Sequence, residues 1–234
     1  MSGSNVTQWK DLVSNITFTP VVSNLVTYNA TGLNSKPIVS FPGSTNAWLR
    51  AYNNVGLTNA TRYFYYFVVF KYTQISNNDC LFGLVDRTST PLNNLLFYLN
   101  VYNPNTIVNN PNSFSADMAV NFISASANNN ILCLMLEYNG TNMNQKIRYN
   151  GIQSNQVTTN LLATHTSANT TFGIGDSTYG NIFRGSMSEI LMYTPSSALT
   201  STQIQQVEGY LAWKWGINTS LPSTHLYYSS APTI

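Results

Sequence analysis

Two histidines, two cysteines and eight carboxylates are the whole supply of side chains for acid–base, nucleophilic or metal chemistry in this chain of 234 residues. The acids are Asp11, Asp79, Asp86, Asp117, Glu137, Asp176, Glu189 and Glu208, all far apart in sequence. No strand-like run offers two of them on one face. His165 lies in a polar loop and His225 in the C-terminal tail, and both read as surface or tail-packing residues. Serine is abundant, but there is no Gly-x-Ser-x-Gly elbow to present a nucleophile. HExxH, Walker A and EF-hand patterns are missing as well. Gly173-Ile174-Gly175 is a lone glycine pair with no dinucleotide signal. Cys80 and Cys133 sit in apolar, strand-like runs without a CxxC or a Cys/His cluster, so buried free thiols are expected rather than a zinc site or a disulfide.

Binding is better supplied than catalysis. Aromatic residues make up 13% of the chain. Most are expected in the core, but Tyr102, Tyr179 and Trp48 fall in loops or at loop edges, with Asn103 beside the first. Sugars stack their C–H faces on such rings while Asn and Asp bond the hydroxyls. Glu189 has two readings, a ligand contact or a partly buried carboxylate that is paired with Arg184 or Arg148 or sits at a sheet edge. Simple alternation puts it on the same face as Met187 and Leu191.

Composition closes several function classes. Only 8% of residues are charged, against about 25% in typical soluble domains, and polarity comes from Asn, Ser and Thr. The ten basic residues are scattered, so no phosphate-tracking patch forms and no nucleic-acid partner is expected. The longest apolar stretches, Phe64 to Phe70 and Ile131 to Leu136, are far below the ~18 residues a membrane helix needs. The first residues have neither the basic nor the apolar region of a signal peptide. Seven sequons, at Asn5, Asn15, Asn29, Asn59, Asn139, Asn169 and Asn218, are unsurprising in a chain so rich in Asn and Thr.

The elements that must position these residues read as short strands. They are expected at Ile38 to Phe41, Ala47 to Ala51, Tyr63 to Tyr72, Cys80 to Asp86, Leu95 to Tyr102, Ile131 to Tyr138, Lys146 to Tyr149, Thr170 to Ile174 and Met187 to Tyr193. The run from Tyr63 has so little polar relief that it reads as a strand buried on both faces. Asn139-Gly140 and Asn150-Gly151 are strong turn signals, and Asn103 to Ser115 reads as a long polar loop. One helix is expected, from about Ser201 to Trp215. Thr200 and Gln203 form a capping box, Leu199 and Ile204 a staple, and Gly216 a stop. Ile204, Val207, Leu211 and Trp215 form its apolar stripe, with Trp213 opposite. Gly209, costly inside a helix, hints at close packing on a sheet. An extended tail follows from Leu221 to Tyr228, and its part from Pro222 to Tyr228 is expected to fold back over Trp213. No composition break suggests a second domain, so one domain spans 1–234, with a core of about 20–200 and a helix and tail at 201–234. The fold class is all-β, an antiparallel sandwich with one C-terminal helix.

Several segments resemble the concanavalin A-like lectin/glucanase superfamily in its laminin-G-like branch. They are Lys36-Pro-Ile-Val-Ser-Phe-Pro-Gly43, the hairpin Leu134-Met-Leu-Glu-Tyr-Asn-Gly140 with Ile147-Arg-Tyr-Asn-Gly151, and Phe172-Gly-Ile-Gly-Asp176 with Phe183-Arg-Gly-Ser-Met-Ser-Glu-Ile-Leu-Met-Tyr193. The end, Val207-Glu-Gly-Tyr-Leu-Ala-Trp-Lys-Trp-Gly216 with Leu221-Pro222 and His225, is similar to a terminal module of surface proteins from large DNA viruses and some bacteria. His225-Leu226-Tyr227 stands where that module usually reads His-Pro-Tyr. The resemblance implies a jelly-roll of two packed antiparallel sheets. It also implies that a hydrolytic member would carry Glu-x-Asp-x-Glu along one strand, which this chain lacks. Relatives in the laminin-G branch sometimes hold Ca²⁺ through loop oxygens. Asp176 with Asn181 could do so, or Asp176 could simply stabilise its own turn. The expected function is a non-enzymatic, lectin-like module of a virion or cell surface. It would bind glycans weakly, with little salt dependence, through Tyr102, Asn103, Asp176 and Tyr179. The alternatives are a structural capsid or surface protein docking to other proteins and, behind both, a glycan hydrolase.

Overall fold

The structure is a computed structural model. It describes residues 4–52, 57, 60–73, 79–86, 93–100, 106–111, 118–121, 128–153, 156–159, 170–176 and 182–233. In chain order the strands are β1 (Ser4–Asn5), β2 (Trp9–Lys10), β3 (Thr17–Pro20), β4 (Thr27–Leu33), β5 (Lys36–Pro42), β6 (Leu49–Tyr52), β7 (Tyr63–Tyr72), β8 (Asp79–Asp86), β9 (Asn93–Asn100), β10 (Thr106–Pro111), β11 (Met118–Asn121), β12 (Asn130–Tyr138), β13 (Met143–Tyr149), β14 (Ile152–Gln153), β15 (Val157–Thr159), β16 (Thr170–Ile174) and β17 (Arg184–Tyr193). One α-helix, α1 (Ser201–Trp215), and a 3₁₀ turn at Asn218–Ser220 complete the described elements. The first sheet runs β1-β4-β5-β17-β7-β12-β13-β14, with β15 also on β13, and the second runs β11-β10-β9-β8-β16-β6-β3-β2. Every pairing is antiparallel. This is the two-layer sandwich with a single helix that the sequence predicts.

The core between the sheets follows from alternation. Phe64, Tyr66, Val68 and Phe70 of β7 point inward to meet Phe82 and Leu84 of β8, Phe172 of β16 and Phe18 of β3. Tyr66 of the first sheet stacks on Phe82 of the second with centroids 4.3 Å apart, so rings bridge the two layers, while Phe18 meets Phe172 edge-on at 4.9 Å within the second sheet. The other face of β7 carries Tyr65, Phe67 and Val69, which join Ile131, Cys133 and Met135 of β12 in a second core. That second core is roofed by Ile204, Leu211, Ala212 and Trp215 of α1. β7 is therefore buried on both faces, and the helix lies on the outer side of the first sheet. Cys133 is under the helix while Cys80 belongs to the second sheet, and both thiols are free and buried.

Burial pushes the Tyr66 hydroxyl and the Cys133 thiol well above their ordinary values of 10.0 and 9.0. The unfolded chain therefore gives up these protons at lower pH than the folded one. Their contribution is fully present below the ordinary values and is lost as pH rises beyond them. Denaturant midpoints should thus fall steadily once pH passes 9.0 and then 10.0. A flat profile there would contradict this burial.

Local signals set the boundaries of α1. Gln203 N–H donates to the Thr200 hydroxyl at 3.2 Å, and Thr200 N–H donates back to the Gln203 side chain at 2.9 Å. Gly216 closes the helix in the left-handed conformation, at φ 66°. Asn150-Gly151 joins β13 to β14 with both φ values positive, 47° and 80°, as a type I′ turn requires. Asn139-Gly140 uses a different device, in which the Asn139 side-chain oxygen accepts from the backbone N–H groups of Thr141 and Asn142.

Four expectations are corrected. Thr106–Pro111 is a strand between β9 and β11, not part of a loop. Its proline ends the strand, where no ladder donor is lost. The tail is not extended: it turns at Asn218–Ser220 and again where His225 N–H donates to Pro222 C=O at 2.8 Å. Gly209 does not sit on a sheet. A Cβ there would meet Cβ of Tyr227 at 2.5 Å, so the glycine admits the folded-back tail. Gly209→Ala gains helix propensity of about 1 kcal/mol but must push Tyr227 away. The expected net result is a lower melting temperature and faster proteolysis within residues 222–228.

The fourth correction concerns Glu189. A bulge between Met187 and Glu189 shifts the register of β17 on β7. The extra residue flips the parity of everything after it. Met187 faces the inter-sheet core, while Leu191 packs in the second core under α1. Glu189 follows Leu191 rather than Met187, and it meets the helix instead of Arg184 or Arg148.

Candidate functional site

Three ion pairs and a buried histidine anchor the helix. At its N-terminus the buried Tyr65 hydroxyl donates to Glu137 at 2.7 Å and accepts from Leu199 N–H at 2.8 Å, and Lys146 reaches the same carboxylate at 2.6 Å. In the middle, Arg148 projects from β13 to hold Glu208 with two hydrogen bonds, at 2.8 and 2.9 Å. Its guanidinium also donates to Gly151 C=O at 2.7 Å. Burial works against that charge, but the hydrogen bond and the charge of Glu208 outweigh it and raise the Arg148 pKa. His225 Nε2 lies 3.1 Å from Glu208 Oε2, the oxygen that also accepts from Arg148 Nη2. Its Nδ1 accepts from Tyr227 N–H at 3.2 Å, which leaves Nε2 to carry the proton and donate. At the helix C-terminus Glu189 accepts from Lys214 and from the Trp215 indole, both at 2.7 Å. Trp213, on the opposite side, donates from its indole to Tyr227 C=O at 2.8 Å and fastens the tail. These groups are buried or matched, an arrangement suited to holding α1 and the tail on the sheet.

A surface suited to a ligand lies on the other layer. β6 alternates cleanly: Leu49 and Ala51 enter the core, while Arg50 and Tyr52 face out. Tyr52 is 56% exposed. The Arg50 guanidinium lies over its ring, 4.8 Å from the centroid. Arg50 pairs across the ladder with Gly173 of β16 on one side and Thr19 of β3 on the other. Thr19 is exposed. Trp48 precedes this pair on the strand and is buried, packed over Gly173, where a Cβ would meet its Cζ3 at 3.1 Å. The absent side chain at Gly173 is what lets the indole lie on the sheet.

The sequence-derived candidates divide. Tyr102, Asn103 and Tyr179 lie outside the described residues, as do Asn181 and His165. Asp176 is only 3% exposed and is not without partners, which puts its carboxyl inside the fold. The chain leaves β16 through Gly175 in the left-handed conformation, at φ 85°, and Phe183 N–H donates to Gly175 C=O at 2.8 Å. Among the described residues no group of three His, Cys, Asp or Glu side chains is placed to hold a metal ion. Among them, too, no helix is long and apolar enough to cross a membrane. Sequence reasoning named Trp48 but missed Arg50 and Tyr52, although the alternation Leu49-Arg50-Ala51-Tyr52 would have revealed them.

No family model matches the sequence, and no curated protein matches it. Solved structures do match the fold. The binding domain of botulinum neurotoxin serotype G superposes with a TM-score of 0.60 at 12% identity, over 84% of this chain and 47% of that one. Domain 4 of an extracellular arabinanase from Geobacillus stearothermophilus, solved in complex with arabinotriose, has a TM-score of 0.56 at 16% identity, over 87% and 98%. A sialidase from Trypanosoma rangeli, in complex with sialic acid, has 0.59 at 12%, over 92% and 32%. The chain thus spans about half of the neurotoxin domain and nearly all of the arabinanase domain. At these identities the likeness is one of fold. The class it defines is the antiparallel two-sheet sandwich, in agreement with the concanavalin A-like layering implied by the sequence resemblance.

Proposed function

We propose that this chain is a non-enzymatic, lectin-like module of a virion or cell-surface protein, and that it binds glycans. The observation that carries the reading is Tyr52, an exposed aromatic ring held by Arg50 on the outward face of the second sheet. The guanidinium covers part of the ring, and the 56% exposure of Tyr52 offers a surface on which a sugar can stack. Two of the fold neighbours were solved with a saccharide bound, which supports the reading. The terminal Tyr-Leu-Ala-Trp-Lys-Trp-Gly module, similar to those of viral and bacterial surface proteins, supports the location.

Contacts of this type are individually weak. Multivalent display raises apparent affinity by roughly 10²–10⁴ without new contacts. A multimerised form should therefore bind on a glycan array, and Tyr52→Ala should lose about 1 kcal/mol per site, the worth of one aromatic contact. An array with no signal for the multimer would reject the reading.

The use of four of the eight acids supports the non-enzymatic part of the proposal. Glycoside hydrolysis needs two carboxyl groups about 5–9.5 Å apart across one bond. Glu137, Glu189 and Glu208 are each committed to helix anchoring, and Asp11 caps its own turn through Val13 and Ser14 N–H. No reducing sugar should be released from laminarin or a mixed-linkage β-glucan. Release that is abolished by changing any one acid would contradict this.

A structural role, docking to other proteins, has one observation in its favour. Leu12 and Val13 stand 92% and 90% exposed at the tip of the turn that Asp11 caps. Exposed apolar pairs of this kind suit a protein neighbour.

A further inference from the structure

We propose that the ligand of the Tyr52 face is an acidic glycan whose carboxylate is taken by Arg50. This inference rests on the glycan-binding reading and narrows it to sugars that carry a carboxyl group, such as uronates or nonulosonates.

Lys146, Arg148 and Lys214 are each paired with a carboxylate, Glu137, Glu208 and Glu189 respectively. Arg50 is not: among the described residues no carboxylate pairs with it, and its partner is the Tyr52 ring. A neutral sugar needs hydrogen bonds and a stacking surface but no fixed positive charge. The five N–H donors of a guanidinium lie in its plane, in the fork geometry that matches a carboxylate with two parallel bonds, and among the described residues no hydrogen bond takes them up.

On the Gly173 side of Arg50 the space a side chain would fill is taken by the Asp176 carbonyl and the Trp48 ring, while on the other side the ladder neighbour is Thr19, which is short and exposed, so a ligand reaches Arg50 from the Thr19 side. The Thr19 hydroxyl lies on the strand beside Arg50, where it can donate to a carboxylate or accept from a sugar hydroxyl. The carboxyl groups of Glu137, Glu189 and Glu208 are engaged with the helix on the other layer and do not compete. Holding the guanidinium on a ring before any ligand arrives removes part of the ordering cost of binding.

The test uses the full chain, multimerised, against matched probes: sialyllactose beside lactose, and polygalacturonate beside its carboxyl-reduced form, with a sulfated galactan as a third arm. The acid form should bind about tenfold or more tightly than its neutral partner, the size of a charge-assisted hydrogen bond. Arg50→Gln should bring the acid form down to the neutral level, and Arg50→Lys should restore only part of the difference. Circular dichroism of Arg50→Gln should match that of the parent, which separates loss of contact from loss of fold. Equal binding of acid and neutral forms would overturn the inference and leave the glycan reading intact. Acid preference that survives Arg50→Gln would overturn the assignment to Arg50, and preference for the sulfated probe would overturn the carboxylate. Binding to none of the probes or to any neutral glycan would remove the underlying reading as well.

Discussion

Glu208→Leu should destabilise the protein by about 3–5 kcal/mol, because it leaves a buried guanidinium without its counter-charge. The Glu208 side chain is 1% exposed and that of Arg148 10%, so water cannot take over the lost partner. His225 loses its acceptor in the same step. Chemical denaturation measures the loss directly. The companion experiment is the double substitution Arg148→Met with Glu208→Leu. Replacing a buried ion pair by apolar groups of similar volume is often neutral or stabilising, so the double variant should recover most of what the single one loses. If Glu208→Leu alone costs less than about 1 kcal/mol, well below the range for a broken buried pair, the network does not anchor the helix.

Leu211→Ala should cost about 2–5 kcal/mol, as for other core leucines. Leu211 is fully buried between α1 and the face of the first sheet built from Tyr65, Phe67 and Val69. Removing its isobutyl group opens a cavity that rigid aromatic neighbours cannot fill. The measure is again the denaturant midpoint. A loss under about 1 kcal/mol would show that the helix is not packed on the sheet by this stripe. Trp213→Ala offers a contrast: it touches the tail rather than the sheet, and its first effect should be proteolytic release of residues 222–228.

What was legible in the sequence was what local chemistry decides. The helix boundaries depend on Thr200, Gln203 and Gly216, all within one turn of the ends, and they stand where those residues put them. The continuous apolar run of β7 implied a strand with both faces covered, and a core lies on each. Asn150-Gly151 specified its turn because both residues tolerate positive φ.

What was not legible depends on distant pairing. One extra residue at the bulge before Glu189 reverses the face of the rest of β17, and nothing in Ser186-Met187-Ser188-Glu189 announces it. The partner of Gly209 is Tyr227, eighteen positions away and brought back by turns in the tail. Thr106–Pro111 is rich in asparagine, which is depleted in strands, yet it has a neighbouring strand on either side to satisfy its ladder. The strand expected at Ala47 to Ala51 stops one residue short of Tyr52; its alternation separates Arg50 and Tyr52 from Leu49 and Ala51, and the packing of the latter two in the inter-sheet core fixes which side faces out.

The central claim is that the outward face of β6 is where a glycan binds. Titration of the isotopically labelled protein with sialyllactose, followed by backbone and side-chain NMR shifts, tests it most directly. The account predicts saturable shifts centred on Thr19, Arg50, Tyr52 and Gly173, with the amides of α1 unmoved. Shifts confined to the helix and tail, or none at saturating sugar, would contradict it.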